Sequence, residues 1–187
     1  MPPIRCAWSL GHSLLTEYHD SEWGKPRHDD KVHFEFLILE AAQAGLSWLT
    51  VLKKREGYKK YFAGFDFNKV AKFGETDVKR MMKDPGIIRN ELKVRSAIDN
   101  AKPFIAVRKE FGSFDKYLWH FVDGKQVVNR IRTMKDLVPM SGLSDAVSKD
   151  LKKRGFRFVG STVIYSHLQA VGVVNDHEEH CYRKNQV

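Results

Sequence analysis

A chain of 187 residues, 42% hydrophobic and 29% charged, is long enough to bury a core and too charged for a membrane bundle or a low-complexity tract. Lys and Arg number 32 against 23 Asp and Glu, a formal +9, which attracts a polyanion over many ångströms and makes nucleic acid the first candidate partner. No stretch approaches the ~20 uncharged apolar residues of a membrane span. The start, MPPIRCAWSLGHSLLTEYHDSEWG, has no signal-peptide apolar run or cleavage site, so the expected location is cytoplasmic and off the membrane.

Helical periodicity runs nearly throughout, with few period-two segments, and predicts an all-α architecture in one domain over 1–187. Near the start stand Cys6 and His19; near the finish, His177 and Cys181, four apart and therefore on one face if that segment is helical. Cys2His2 is a ligand set that structural zinc prefers, and a site drawn from both termini would staple the chain into a ring. A disulfide between the two cysteines is the plainer alternative, and with 8 histidines the spacing can be coincidence.

Next in order, Asp29 or Asp30 can cap a helix through Val32, Phe34, Phe36, Leu37, Ile38 and Leu39, apolar on almost every side and so buried. Ala44 and Gly45 end it, and Ser47 caps a helix through Trp48, Val51 and Leu52. Asp66 and Thr76 look like caps of shorter helices, and a longer helix is expected over about Asn90 to Phe111. Glu40 is the odd residue in the buried helix, because a carboxylate among leucines must find donors or carry a large desolvation cost. Either it forms a buried ion pair with a distant Arg or Lys, or it is functional. Trp8, Tyr18, Trp23 and Trp48 fall in the same first fifty residues, and a carboxylate walled by aromatics suits a flat cationic ring; core packing explains some of them equally well.

Basic residues cluster at Lys53 to Lys60, at Arg89, Lys93 and Arg95, and at Lys149 to Arg157. The last cluster lies in SKDLKKRGFRFVGSTVIYSHLQAVG, which reads as a helix Ser144 to Arg154, a turn from Gly155 to Gly160, and a helix Ser161 to Val171. A turn of this kind can present the free N–H groups of the second helix to a DNA phosphate, with Lys153, Arg154 and Arg157 adding charge. An ordinary αα-hairpin is the bland reading.

The blocks YHDSEWG (18–24), QAGLSWLTVLKKRE (43–56), GIIRN (86–90), LKKRGFRFVGST (151–162) and NDH (175–177), in this order, resemble the Tag family, the type I DNA-3-methyladenine glycosylases of the helix-hairpin-helix superfamily. The resemblance runs almost end to end. It implies a helix-hairpin-helix fold, with that motif at about 144–172 and zinc-binding ends at 1–24 and 173–187. It implies base-excision repair of double-stranded DNA: hydrolysis of the N-glycosidic bond of a methylated adenine flipped into an aromatic pocket, without a strand-cutting lyase step.

Carried over by position, Glu40 corresponds to the pocket carboxylate, Trp48 to the residue stacked on the base, Tyr18 to a hydrogen-bonding partner, and Trp8 and Trp23 to further wall. Ala44, Gly45 and Leu46 correspond to a wedge that fills the gap left in the duplex. Arg154, Gly155, Arg157, Gly160 and Ser161 fall in the DNA-binding hairpin. Cys6, His19, His177 and Cys181 correspond to one structural zinc ion (Zn2+) per chain, with no open position for water. Where many helix-hairpin-helix glycosylases have a catalytic aspartate, Asn175 stands here, with Asp176 beside it. The sequence departs from the family at Leu15, where a pocket tyrosine is common, and at Ala41 and Ala42. A lesion-binding protein of weak activity, or a zinc-stapled DNA-binding module without a base pocket, are the competing expectations; a monomer is the default.

Overall fold

The computed structural model describes residues 2–187. Helices dominate, as the periodicity predicts. A 3-10 turn at Ala7–Gly11 leads into α1 (Ser13–Ser21). The apolar segment forms α2 (Asp30–Gln43), where Asp29 accepts from the Lys31 and Val32 amides and thereby satisfies two donors of the first turn. Ala44 leaves helical geometry, Gly45 adopts φ +79°, and Ser47 caps α3 (Trp48–Leu52) through the Thr50 amide. Then come α4 (Arg55–Tyr61), α5 (Phe67–Val70, capped by Asp66) and α6 (Glu75–Lys83). The helix expected from Thr76 starts at Glu75 instead, with Gly74 as its N-cap; Asp77 reaches back to the Gly74 amide, so Thr76 lies inside the first turn.

The long helix expected over Asn90 to Phe111 is two helices, α7 (Glu91–Asp99) and α8 (Ala101–Phe111). Pro103 has no N–H for the Asp99 carbonyl, and its ring would collide with that carbonyl in a continuous helix; it is tolerated only in the first turn of a helix that starts afresh. Asn100 at the break uses both ends of its amide, accepting from the Arg157 N–H at 2.8 Å and donating to the Arg157 carbonyl at 2.9 Å. The interruption therefore tethers a distant turn. After α9 (Phe114–His120), the last helices are α10 (Gly142–Lys153, capped by Ser141) and α11 (Ser161–Ala170). A short parallel pair, β1 (Val127–Val128) and β2 (Val174–Asn175), ties the stretch after α9 to the C-terminal segment.

One continuous core surrounds α2, which packs against α3, α7, α9 and α11. Burial on nearly every side explains why this helix shows no amphipathic stripe. Phe34, Phe104 and Phe114 form a chain of rings with centroids 5.1 and 4.4 Å apart, fixing α8 and α9 against it. Among the described residues, no helix is long and apolar enough to cross a membrane.

Candidate active site

Burial of α2 carries Glu40 to the floor of a cleft of about 190 Å³ near the helix end. Trp8, Tyr18, Trp23 and Trp48 line it, so the four aromatic residues singled out from the first fifty do meet. Their rings interlock: Trp8 meets Trp23 edge to face at 4.9 Å and 78°, and Tyr18 meets Trp48 in a tilted arrangement at 5.2 Å and 55°. Glu40 is only 4% exposed. Among the described residues no hydrogen-bond donor or cation is paired with it, so the buried ion pair weighed against a functional role is not formed. Burial pushes its carboxyl up to about 8. The Tyr18 phenol is driven well above its usual value, by its own burial first and by the neighbouring Glu40 and Glu22 next, and stays protonated as a donor. The Trp48 indole N–H is also buried without a partner.

The remaining wall comprises Gln43, Met134, Leu137, Ser166 and Gln169, which sequence reasoning missed. Ser166 and Gln169 are three apart on α11, and that spacing could have flagged a shared face. Met134 and Leu137 come from an otherwise exposed stretch, and no sequence signal places them here. Their turn is held by the Asp136 carboxylate, which accepts from the Arg132 and Thr133 amides. The departures Leu15, Ala41 and Ala42 are not among the lining residues; Ala41 and Ala42 pack in the core behind the cleft.

Against the back of this wall, the donor atoms of Cys6, His19 and Cys181 lie within 4.8 Å of one another, all buried. The cysteines are free thiols here, not a disulfide. The Cys181 Sγ to His19 Nε2 distance is 3.4 Å. Two ligands of one tetrahedral zinc would stand about 3.5 Å apart, from Zn–S and Zn–N bonds of about 2.3 and 2.05 Å. His177 lies outside that mutually close trio, with its ring 5.0 Å from that of His19. Its Nδ1 pairs with Asn175 Oδ1 at 3.0 Å, which leaves a buried Nε2 with no partner. A ring nitrogen fixed by an oxygen that does not itself bind the metal, with the other nitrogen left free, is the arrangement metal-binding histidines use. His19 is held the same way, Nδ1 against Asp20 at 2.8 Å. Gly24 has no room for a side chain beside this cluster, since a Cβ would stand 2.6 Å from the His177 ring.

Asn175 and Asp176 are both committed to the scaffold. Asn175 also donates to the Lys184 carbonyl, and Asp176 accepts from Tyr165, Gln169 and Asn129. Asp176 thus touches the cleft only through Gln169.

The turn Ala44, Gly45, Leu46 stands beside the N-terminal half of α11, and the two share a second depression with Glu40, Gln43, Thr162 and Ser166. A buried lysine fixes this turn: Lys93 Nζ donates to the Ala42 and Ala44 carbonyls at 2.9 and 2.5 Å, satisfying orphan acceptors at the end of α2. In the hairpin, Gly155 takes φ +91° and Gly160 precedes α11, whose first turn has no side-chain cap. Ser161 pairs its hydroxyl with Ser144 at 2.8 Å, joining α10 to α11. Arg157 is exposed, reaching Asp99 at 3.2 Å. Arg154 departs from the expectation of a free cation, because Glu110 and Asp150 hold its guanidinium over the rings of Phe111 and Tyr117.

Comparison with known proteins agrees with this arrangement. The family model of methyladenine glycosylase matches residues 8–184. The chain belongs to the methyladenine glycosylase family. DNA-3-methyladenine glycosylase 1 of Escherichia coli (strain K12) is 46% identical over 177 residues, 95% of either chain. DNA-3-methyladenine glycosylase of Haemophilus influenzae is 42% identical over 177 residues, 95% of this chain and 96% of that one. A solved structure of 3-methyladenine DNA glycosylase I from Staphylococcus aureus, which describes the recognition of 3-methyladenine, superposes with a TM-score of 0.92 at 36% identity, covering 96% of each chain. The matched span, residues 8–184, includes every residue that lines the cleft.

Proposed function

We propose that this methyladenine glycosylase excises 3-methyladenine from alkylated duplex DNA, with the extruded base held among Trp8, Tyr18, Trp23 and Trp48 over Glu40. The observation that carries the reading is the buried carboxyl without a partner on the floor of an aromatic cleft. An uncompensated buried acid is costly, and a cationic ring is the ligand that relieves it. Methylation of a ring nitrogen makes the base in DNA cationic. On entry its charge draws Glu40 to the carboxylate form, which accepts from the base edge; neutral adenine offers no such compensation. The aromatic faces add about 1–3 kcal/mol of stacking.

In the reaction, water adds to the sugar C1′ as the bond from C1′ to the base nitrogen breaks. The electron pair of that bond neutralises the base, and the water proton leaves to solvent. The cation is already a good leaving group, so the chain need not supply an aspartate at Asn175. Its work is extrusion, selection and exclusion of bulk water. Leu46, 42% exposed at the turn fixed by Lys93, suits the wedge role, with Ala44 and Gly45 shaping the turn. The uncapped N-terminus of α11, with Gly160 and Ser161, offers amides to a phosphate. Gly155 allows the preceding turn, and exposed Arg157 adds charge. Incubation with methylated duplex DNA is expected to release free 3-methyladenine and leave alkali-labile sites; binding to the lesion without release above background would leave a lesion-binding protein in place of the enzyme.

Cys6, His19, Cys181 and His177 fit one structural zinc. Bound there, the ion would contribute folding energy by joining the two chain ends behind the aromatic wall, with no open position for water. About one zinc per chain is expected in purified protein, with content and melting temperature both lowered in Cys6→Ser. Protein that is zinc-free and fully folded would rule this out.

A further inference from the structure

The proposed wedge has a second side. Leu46, which lines the depression beside Glu40 and Gln43, also lines a groove of about 390 Å³ with Thr50, Lys54, Ile87, Ile88 and Arg89. Three ties hold the groove rigid. Lys54 Nζ donates to the Pro85 carbonyl at 2.5 Å, and the Asp84 carboxylate accepts from the Gly86 amide at 2.6 Å. Gly57 backs the same loop so closely that a Cβ would lie 2.1 Å from the Gly86 carbonyl oxygen. Lys93, whose amide is capped by Asn90, anchors the wedge turn to the helix that follows this loop. Wedge and groove wall therefore form one frame.

The charge on that wall is unusual for this molecule. Every arginine side chain among the described residues donates to a carboxylate or carbonyl oxygen, except Arg89 and Arg132. Both are exposed. Arg132 adjoins the Met134 turn at the base cleft, whereas Arg89 lines the groove with Leu46 and is absent from the cleft wall. An uncommitted guanidinium beside an apolar trough is matched to one nucleotide, with phosphate on the cation and base against Ile88 and Leu46.

We infer that this groove seats the undamaged strand opposite the extruded nucleotide, with Arg89 on its backbone phosphate. The inference rests on the wedge reading above. If the extruded nucleotide leaves past the depression that Leu46 shares with Glu40 and Gln43, the opposing strand of the same duplex must pass Leu46 elsewhere, and the groove is a second recess that this residue lines. GIIRN, conspicuous in the sequence and unused by the base cleft, thereby acquires a role.

The test compares Arg89→Ala with the unsubstituted protein on two probes: a duplex carrying a tetrahydrofuran abasic analogue, and the same lesion strand alone. The substitution is expected to weaken duplex binding roughly fivefold and to reduce the magnitude of the salt-dependence slope by about one. Single-strand affinity and melting temperature should stay unchanged, and Arg89→Lys should recover part of the loss. Equal loss on both probes would put Arg89 on the lesion strand, and an unchanged duplex affinity would remove it from the interface; either overturns the inference. Failure of the unsubstituted protein to release 3-methyladenine would instead sink the glycosylase reading, an outcome the Arg89 comparison does not produce.

Discussion

The two ends of α2 treat their charges in opposite ways. Toward its start, Asp30 is bound by Arg108 and by the Asp115 amide, His33 meets Asp115 at 3.2 Å, and Glu35 accepts from Arg55 at 2.7 Å. Although burial opposes it, contact with His33 and His28 holds the Asp115 carboxyl below its usual value. Toward its end, Glu40 is buried with no partner and is pushed up to about 8. One helix thus carries a half whose carboxylates are paired, which fixes it in the fold, and a half whose carboxyl is unpaired and faces the cleft. Natural folds satisfy buried charges wherever packing alone is at stake, so the unsatisfied end marks where a ligand completes the structure.

Glu40→Gln should separate the halves most sharply. It keeps the shape and loses the charge, so excision of 3-methyladenine should fall roughly 10- to 100-fold, the worth of a hydrogen bond to a charged group at about 1.5–3 kcal/mol. Stability at pH 8 should rise, read as a higher melting temperature, because the buried charge is gone. A variant with unchanged kinetics would remove Glu40 from the pocket role.

Acidity gives the same contrast a pH axis. A glutamate ordinarily titrates near 4.5, and Glu40 in the fold near 8. Between these values the unfolded chain has released the proton and the folded chain retains it. Glu40's contribution to stability is therefore complete below about 4.5, declines as pH rises toward about 8, and is flat above. If the carboxylate receives the base, kcat/KM should climb with pH up to about 8 and then level off. Glu40→Gln should flatten both dependences; a parental kcat/KM profile without a bend near 8 would contradict the assignment.

The paired half should respond in stability before chemistry. Arg55→Met breaks the contacts to Glu22 and Glu35, groups 22% and 15% exposed, and should cost roughly 2 kcal/mol, discounted from a fully buried pair. Measured below the melting transition, excision should change far less than in Glu40→Gln. A kinetic loss as large as that of Glu40→Gln, with stability intact, would erase the distinction.

Much of this was legible in the chain. The Asp29, Asp66 and Ser47 caps act as expected, and Glu40 with its aromatic neighbours was visible as a carboxylate in an apolar helix followed and preceded by tryptophans. The break at Asn100 was missed although Pro103 announces it. Basic clusters misled in part: Arg55, Arg95 and Arg154, one from each, are paired with Glu22, Glu75 and Glu110, carboxylates of the same chain that lie far off in sequence. Composition counts charges without their partners, whereas only folding shows that Arg89 is free. Met134 and Leu137 were unreadable for a related reason, since an exposed loop has no periodicity to reveal which residues turn toward a distant cleft.

By itself the sequence determined the helical elements, the burial of α2 and the family, because caps, apolar spacing and ordered motifs are local properties of a chain. Tertiary structure alone decided that Glu40 has no partner, that Cys6 and Cys181 meet His19 across the length of the chain, and that Leu46 lines both the depression beside Glu40 and the groove of Arg89. Those are relations between segments distant in sequence, set by packing around one core, and no local pattern encodes them.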